Sequence, residues 1–278
     1  MPDWPVGLST GAFFRSAIAQ CLGPIREAGF SLVEVSSHPD HLDLHDRGAV
    51  AQAAQRLQAL GMEPFSLHAP FADDFDITSF DGETRHRSLQ ELLGAAEAAA
   101  RLGAGHLVIH PGPESSAIPE GERNPRIGHA VAALELVAAR CRELGVRMVL
   151  ENMLPHLFLG RADRFGELLH ALQAAAPGVC LDTGHAFLSG DLHGVAQRSA
   201  EAGLCMLHAS DNRGTYDDHL PPGEGAIPWS SLVRQLAELR FQGAIILEIA
   251  RRGSVEETLH AADRARRHLA GLVAGAAI

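Results

Sequence analysis

The sequence predicts an α/β fold, a single (β/α)8 TIM barrel spanning residues 1–278. Eight short apolar, β-branched runs recur along the chain, and stretches with helical spacing separate them. No Ser/Gly/Pro-rich linker, low-complexity tract or charge block divides the sequence. A length of 278 residues also suits one large α/β barrel better than a string of small units.

In chain order the runs are VGLSTG (6–11), SLVEVS (31–36), PFSLHAP (64–70), HLVIHPG (106–112), RMVLENM (147–153), VCLDTGH (179–185), LCMLHAS (204–210) and AIILEIA (244–250). Near-continuous apolar runs of this length fit parallel strands buried on both faces. Between them AAQRLQAL, RSLQELLGAAEAAARLG, AVAALELVAARCRELG and WSSLVRQLAELRFQG place apolar residues three and four apart, as amphipathic helices do. REAGF, ALGM and RELGVR precede strands and carry Gly where a helix C-terminus is expected. The last stretch, SVEETLHAADRARRHLAGLV, reads as an outer helix with a solvated RARR face.

Composition narrows the chemistry. The 23 basic residues are all arginine, which excludes a Schiff-base lysine and a Walker-type lysine. The net charge of −11 disfavours broad contact with nucleic acid. Cys21, Cys141, Cys180 and Cys205 form no C-x-x-C pair, which argues against a disulfide framework or zinc ribbon. No run is long enough for a membrane span, and MPDWPVGLSTGAFF lacks the basic segment of a signal peptide, so a cytoplasmic protein is expected. Homo-oligomer formation stays open.

The ends of the runs carry the functional signal. Glu34, His68, His110, Glu151, Asp182, His208 and Glu248 lie at or near the C-terminal ends of runs two to eight. In a barrel those ends open on one face, so residues far apart in sequence converge. So many carboxylates and imidazoles at one mouth are costly unless cations compensate them. In LDTGH, Asp182 and His185 can both point into that mouth, with Gly184 allowing the bend. The long seventh loop, HASDNRGTYDDHLPPGEGAIPW, adds Asp217 and His219, two apart on an extended segment. Oxygen and nitrogen donors without thiolate suit Zn²⁺, Mn²⁺, Fe²⁺ or Co²⁺. Glu34 reads as a substrate contact or an arginine-paired structural carboxylate. Glu224 reads as a partner for loop amides.

In this order SLHAPF, VIHPGP, VLENM, CLDTGHAF, LHASDN, DDHLPPGEG and ILEI resemble the xylose isomerase-like TIM-barrel superfamily, which includes sugar phosphate isomerases/epimerases and the endonuclease IV family (AP endonuclease family 2). The resemblance covers nearly the whole chain. It implies metal ligands at His68, His110, Glu151, Asp182, His185, His208, Asp217, His219 and Glu248, holding up to three zinc ions with Glu151 bridging two. The sugar isomerase branch implies one divalent ion on Glu151, Asp182, His208 and Glu248, with Glu151 and Glu248 as catalytic acid and base and His185 and Arg213 binding substrate hydroxyls.

Two departures separate the branches. The first loop reads LSTGAFFRS where endonuclease IV enzymes carry a glycine-rich segment, and SSHPDHLDLHD and FADDFD are acidic where phosphates would be gripped. The expected function is therefore metal-dependent isomerisation or epimerisation of a small carbohydrate. A zinc-dependent AP endonuclease acting on abasic DNA is the alternative, and a metal-binding barrel without catalysis is a third reading.

Overall fold

The structure, a computed structural model, describes residues 4–72, 74–114 and 118–275. Met1 to Asp3 of the N-terminal stretch and Asp73 of the FADDFD loop lie outside the described residues. The eight runs form strands β1 (Val6–Ser9), β2 (Leu32–Ser36), β3 (Glu63–His68), β4 (His106–Ile109), β5 (Arg147–Glu151), β6 (Gly178–Asp182), β7 (Leu204–Ala209) and β8 (Ala244–Leu247). Each pairs in parallel with its sequence neighbours, and β1 pairs with β8, so the sheet closes into the predicted barrel.

Helices α1 (Ile18–Glu27), α2 (Arg47–Ala59), α3 (Gly82–Leu102), α4 (Arg123–Leu144), α5 (Ala162–Ala171), α6 (Thr183–Leu188), α7 (Leu192–Glu201), α8 (Trp229–Glu238) and α9 (Val255–Gly275) are accompanied, among the described residues, by three short 3-10 helices, Thr10–Phe13, Glu120–Glu122 and Gln173–Ala175. Their starts follow local side-chain chemistry. Asp46, Asp81 and Asp191 accept from backbone N–H groups at the starts of α2, α3 and α7. Gly103 and Gly145 end α3 and α4 in the left-handed conformation that glycine adopts without penalty. No helix among the described residues is long and apolar enough to cross a membrane.

Two apolar regions hold the barrel. The larger joins the outer strand faces to the helices. The smaller, Leu32, Val108, Val149, Cys180, Met206, Ala244 and Ile246, comes from alternate strand positions and fills the barrel interior. The residue two further along several of these strands is polar: Leu32 is followed by Glu34, Val149 by Glu151, Cys180 by Asp182, Met206 by His208 and Ile246 by Glu248. The apolar plug therefore gives way to a polar basin at the C-terminal ends of the strands. All four cysteines are free, and Cys180 belongs to the plug.

Candidate metal centre

The basin gathers side chains at or near the C-terminal ends of β2 to β8, with His185 from α6 and Asp217 and His219 from the seventh βα loop. Glu151, at the end of β5, lies at its centre and is buried. Its Oε2 is 3.3 Å from His68 Nε2 and 3.4 Å from His110 Nε2. Its Oε1 is 3.1 Å from His208 Nδ1 and 3.9 Å from His185 Nδ1. Glu248 joins from β8, with Oε2 3.1 Å from the same His208 Nδ1. One ligand atom from each of Glu151, Asp182, His208 and Glu248 falls within a 4.8 Å cluster, and a second such cluster contains His68, Glu151 and His208.

The seventh βα loop supplies the rest. Asp217 Oδ2 is 3.3 Å from His185 Nε2 and 2.9 Å from His219 Nε2. His219 has φ of 45°, a left-handed conformation uncommon for a residue with Cβ. A backbone bridge between Asp211 and Leu220 closes the loop at its base.

Every imidazole in the basin is held at its far nitrogen. His68 Nδ1 is 2.9 Å from the Ala69 carbonyl, His185 Nδ1 is 2.8 Å from that of Asn152, and His219 Nδ1 is 3.0 Å from that of Glu248. His110 Nδ1 is 2.7 Å from Glu114 Oε1, and His208 Nε2 is 2.9 Å from Glu34 Oε2. Such contacts fix which ring nitrogen faces inward.

All nine sequence-predicted ligands therefore meet at one mouth. Arg213 does not join them, because its side chain is 66% exposed and faces Asp218 at 3.7 Å. Around Asp182 the local conformation departs from the expected loop. Asp182 Oδ1 accepts from His185 N at 2.6 Å and starts α6 at the strand end, so capping and burial of His185 occur together. Gly184 lies within α6 and is needed for space and not for the expected bend, since a Cβ there would meet Ser210 Oγ at 2.6 Å.

Burial opposes charge throughout the basin, and ionic neighbours overcome it at most positions. His110 is pushed up to about 10 by Glu151 and Glu114, His185 to about 9 by Asp182 and Asp217, and His219 to about 10 by Asp217 and Glu248. Glu248 is held down to about 2, chiefly by His208, while His208 and His110 hold Glu151 well below the usual carboxylate range. Burial dominates at Asp182 and raises it to about 6.

The donors fit a divalent cation. Asp182 Oδ2, His208 Nδ1 and Asp217 Oδ1 are buried and have no hydrogen-bond partner among the described residues. Buried polar atoms are almost always satisfied, and a carboxylate and imidazole set with free lone pairs is what Zn²⁺, Mn²⁺, Fe²⁺ or Co²⁺ accepts.

The site has contributors beyond the expected set. Glu34 has no arginine partner among the described ion pairs and bonds His208. Asn152 accepts from Asp182 N at 2.8 Å and donates to the Asp182 carbonyl at 3.1 Å. Glu224 does not serve loop amides; it pairs with Arg252 at 2.7 Å and Arg264 at 3.1 Å. The inward register of Glu34, two residues from Leu32 of the plug, is the sequence signal that could have placed it.

Asp211 is the anchor of the seventh loop. Fully buried, it accepts from the backbone N–H groups of Asn212, Gly223 and Ile227 and from Trp229 Nε1, at 2.9 to 3.0 Å. Asp211→Ala leaves these buried donors without their acceptor, and each such loss costs about 1–3 kcal/mol. Chemical denaturation should show a loss of at least about 3 kcal/mol, with greater protease sensitivity in the loop carrying Asp217 and His219.

A cavity of about 440 Å³ opens above the basin, lined in part by Ser9, Phe14, His38, Phe71, His219 and Glu248. Phe14 and Phe71 are 37% and 54% exposed and give it an apolar wall.

Comparison with known proteins places the chain in one family. The family model described as "Xylose isomerase-like TIM barrel" matches residues 22–272. A probable endonuclease 4 of Nitratidesulfovibrio vulgaris is 28% identical over 243 residues, 81% of this chain and 82% of that protein. A structure of an L-ribulose 3-epimerase superposes with a TM-score of 0.81 at 19% identity, covering 99% of this chain and 96% of the other. A Thermus thermophilus protein soaked with ZnCl2 superposes with a TM-score of 0.71 at 25% identity, covering 97% of this chain and 98% of the other.

Proposed function

Because the chain belongs to the xylose isomerase-like TIM-barrel family, we propose that it is a divalent-metal-dependent isomerase or epimerase of a small carbohydrate. The carrying observation is the compact donor group of Glu151, Asp182, His208 and Glu248 beneath a cavity of about 440 Å³. That volume suits a small molecule, and the Phe14 and Phe71 wall suits the apolar face of a sugar.

A divalent ion held by these four residues would polarise a substrate carbonyl and make the adjacent C–H acidic. Glu248 lines the cavity and is placed to remove that proton. Its lowered pKa keeps the carboxylate ionised at neutral pH, as a base requires. Glu151 lies deeper, with both oxygens facing imidazoles, and is the second carboxylate available for proton transfer. His185 holds its ring between Asn152 and Asp217 and could bind a substrate hydroxyl only by giving up the latter contact.

Endonuclease 4-like hydrolysis of an abasic-site phosphodiester is a second reading. It is favoured by donors beyond those one ion needs, namely His68 and His110 on Glu151 and the His185, Asp217 and His219 set. One comparison separates the two. Metal-loaded protein is incubated with ketoses in D₂O and, separately, with a duplex carrying one abasic site. Deuterium entering a sugar next to its carbonyl, with the duplex intact, is expected. Incision at low enzyme concentration with no deuterium in any sugar would make hydrolysis the function.

A further inference from the structure

We propose that Glu34 is a positioning residue that sets the strength and direction of His208 as a metal ligand; this rests on reading the basin as a divalent-ion site. Glu34 is fully buried at the inward-facing third position of β2. Its Oε2 accepts from Ser66 Oγ at 2.8 Å and lies 2.9 Å from His208 Nε2, while its Oε1 accepts from Ser9 Oγ at 3.3 Å. A carboxylate with no exposure is costly unless a positive charge lies near.

His208 shows where that charge belongs. Its side chain is also fully buried, and with Nε2 facing Glu34 its Nδ1 is the nitrogen left to face the basin. Nδ1 lacks a hydrogen-bond partner among the described residues, yet it lies 3.1 Å from oxygens of both Glu151 and Glu248. Between two carboxylate oxygens that nitrogen carries a proton when no ion is bound, and gives it up to become a ligand when a divalent ion takes its place. Glu34 therefore fixes the tautomer and ring rotation, and its charge makes Nδ1 a stronger donor.

The other imidazoles are held differently. His68, His185 and His219 face neutral backbone carbonyls, and the Glu114 side chain beside His110 is 20% exposed. His208 is the one ring among these five held by a fully buried carboxylate. The position it shares with Glu151, Asp182 and Glu248 should consequently bind the first ion most tightly.

The test is a competition titration of Zn²⁺ between a chromophoric chelator and the wild type, Glu34→Gln or Ser66→Ala, with Co²⁺ absorption spectra of each. Glu34→Gln keeps an acceptor but removes the charge. It should weaken the first ion about 10- to 100-fold and shift the Co²⁺ bands. Ser66→Ala keeps the charge of Glu34 but removes one hydroxyl that holds its Oε2, and should weaken the first ion less than Glu34→Gln does. Should Glu34→Gln fail to fold, Glu34→Asp, which retracts the carboxylate by one methylene, should show the same loss. Wild-type affinity and an unchanged Co²⁺ spectrum in the Glu34 variant would overturn the role, even if its melting temperature fell. A wild type that takes up no ion would instead sink the metal reading itself.

Discussion

Glu248→Gln is expected to lower metal-dependent exchange of a ketose α-hydrogen with D₂O by about 10²- to 10⁴-fold, the usual contribution of a positioned general base. The amide is nearly isosteric but cannot accept the proton at neutral pH. The fold should survive, because the bond that Glu248 makes to β7 runs from its backbone N–H to the Ala209 carbonyl at 3.2 Å and is kept in the variant, and its side chain is 26% exposed. Metal content must be measured alongside the rate, since Glu248 also belongs to the four-donor group. Exchange undiminished at full metal occupancy would remove Glu248 as the base.

Stripping the metal should make stability depend on pH in a direction that metal reverses. Without a cation, His110, His185 and His219 balance the carboxylates by binding protons, with pKa values raised from 6.5 to about 10, about 9 and about 10. Their stabilisation is complete below about 6.5, the unfolded value, and is lost as pH rises towards 9 or 10. Asp182, raised from 3.8 to about 6, opposes folding increasingly between those two values and by a constant amount above them, so it adds no slope to that interval. Glu248, lowered from 4.5 to about 2, acts at the other end, and its contribution disappears only as the solution becomes strongly acidic.

Chelator-treated protein should therefore melt at progressively lower temperature from about pH 6.5 to about pH 9.5. Protein saturated with Zn²⁺ should gain over the same range, because the ion displaces the competing protons. At a free concentration a thousand times the dissociation constant, the ion adds about 4 kcal/mol. Thermal melts at three pH values with and without chelator measure both slopes, and a flat chelated series would contradict the ionic balance described for the basin.

The parts of this molecule legible in its sequence share one physical origin. Parallel strands buried on both faces read as continuous apolar runs, so β1 to β8 are visible, and the polar residue ending each run from β2 to β8 marks the mouth. Local chemistry behaves likewise: the Asp182 and His185 spacing can be read because both partners lie in one turn.

What escapes a sequence reading depends on partners remote along the chain. Glu34 and His208 are 174 residues apart, and nothing beside either indicates the other. Asp211 looks like one more loop carboxylate, because its donors belong to a loop folding back on itself. Glu224 seems to belong to nearby amides by position alone, whereas its arginines come from the following βα loop and α9.

The apolar plug of Leu32, Val108, Val149, Cys180, Met206, Ala244 and Ile246 has a kinetic consequence. It closes the barrel interior below the basin, so on the proposed activity whatever is converted at Glu248 would depart through the cavity by which it arrived. Reactant and product would then exclude one another, and turnover would be an alternation of filling and emptying. A hydrogen lifted onto Glu248 would reach bulk solvent as that cavity empties, so exchange with D₂O would be completed between one occupant and the next.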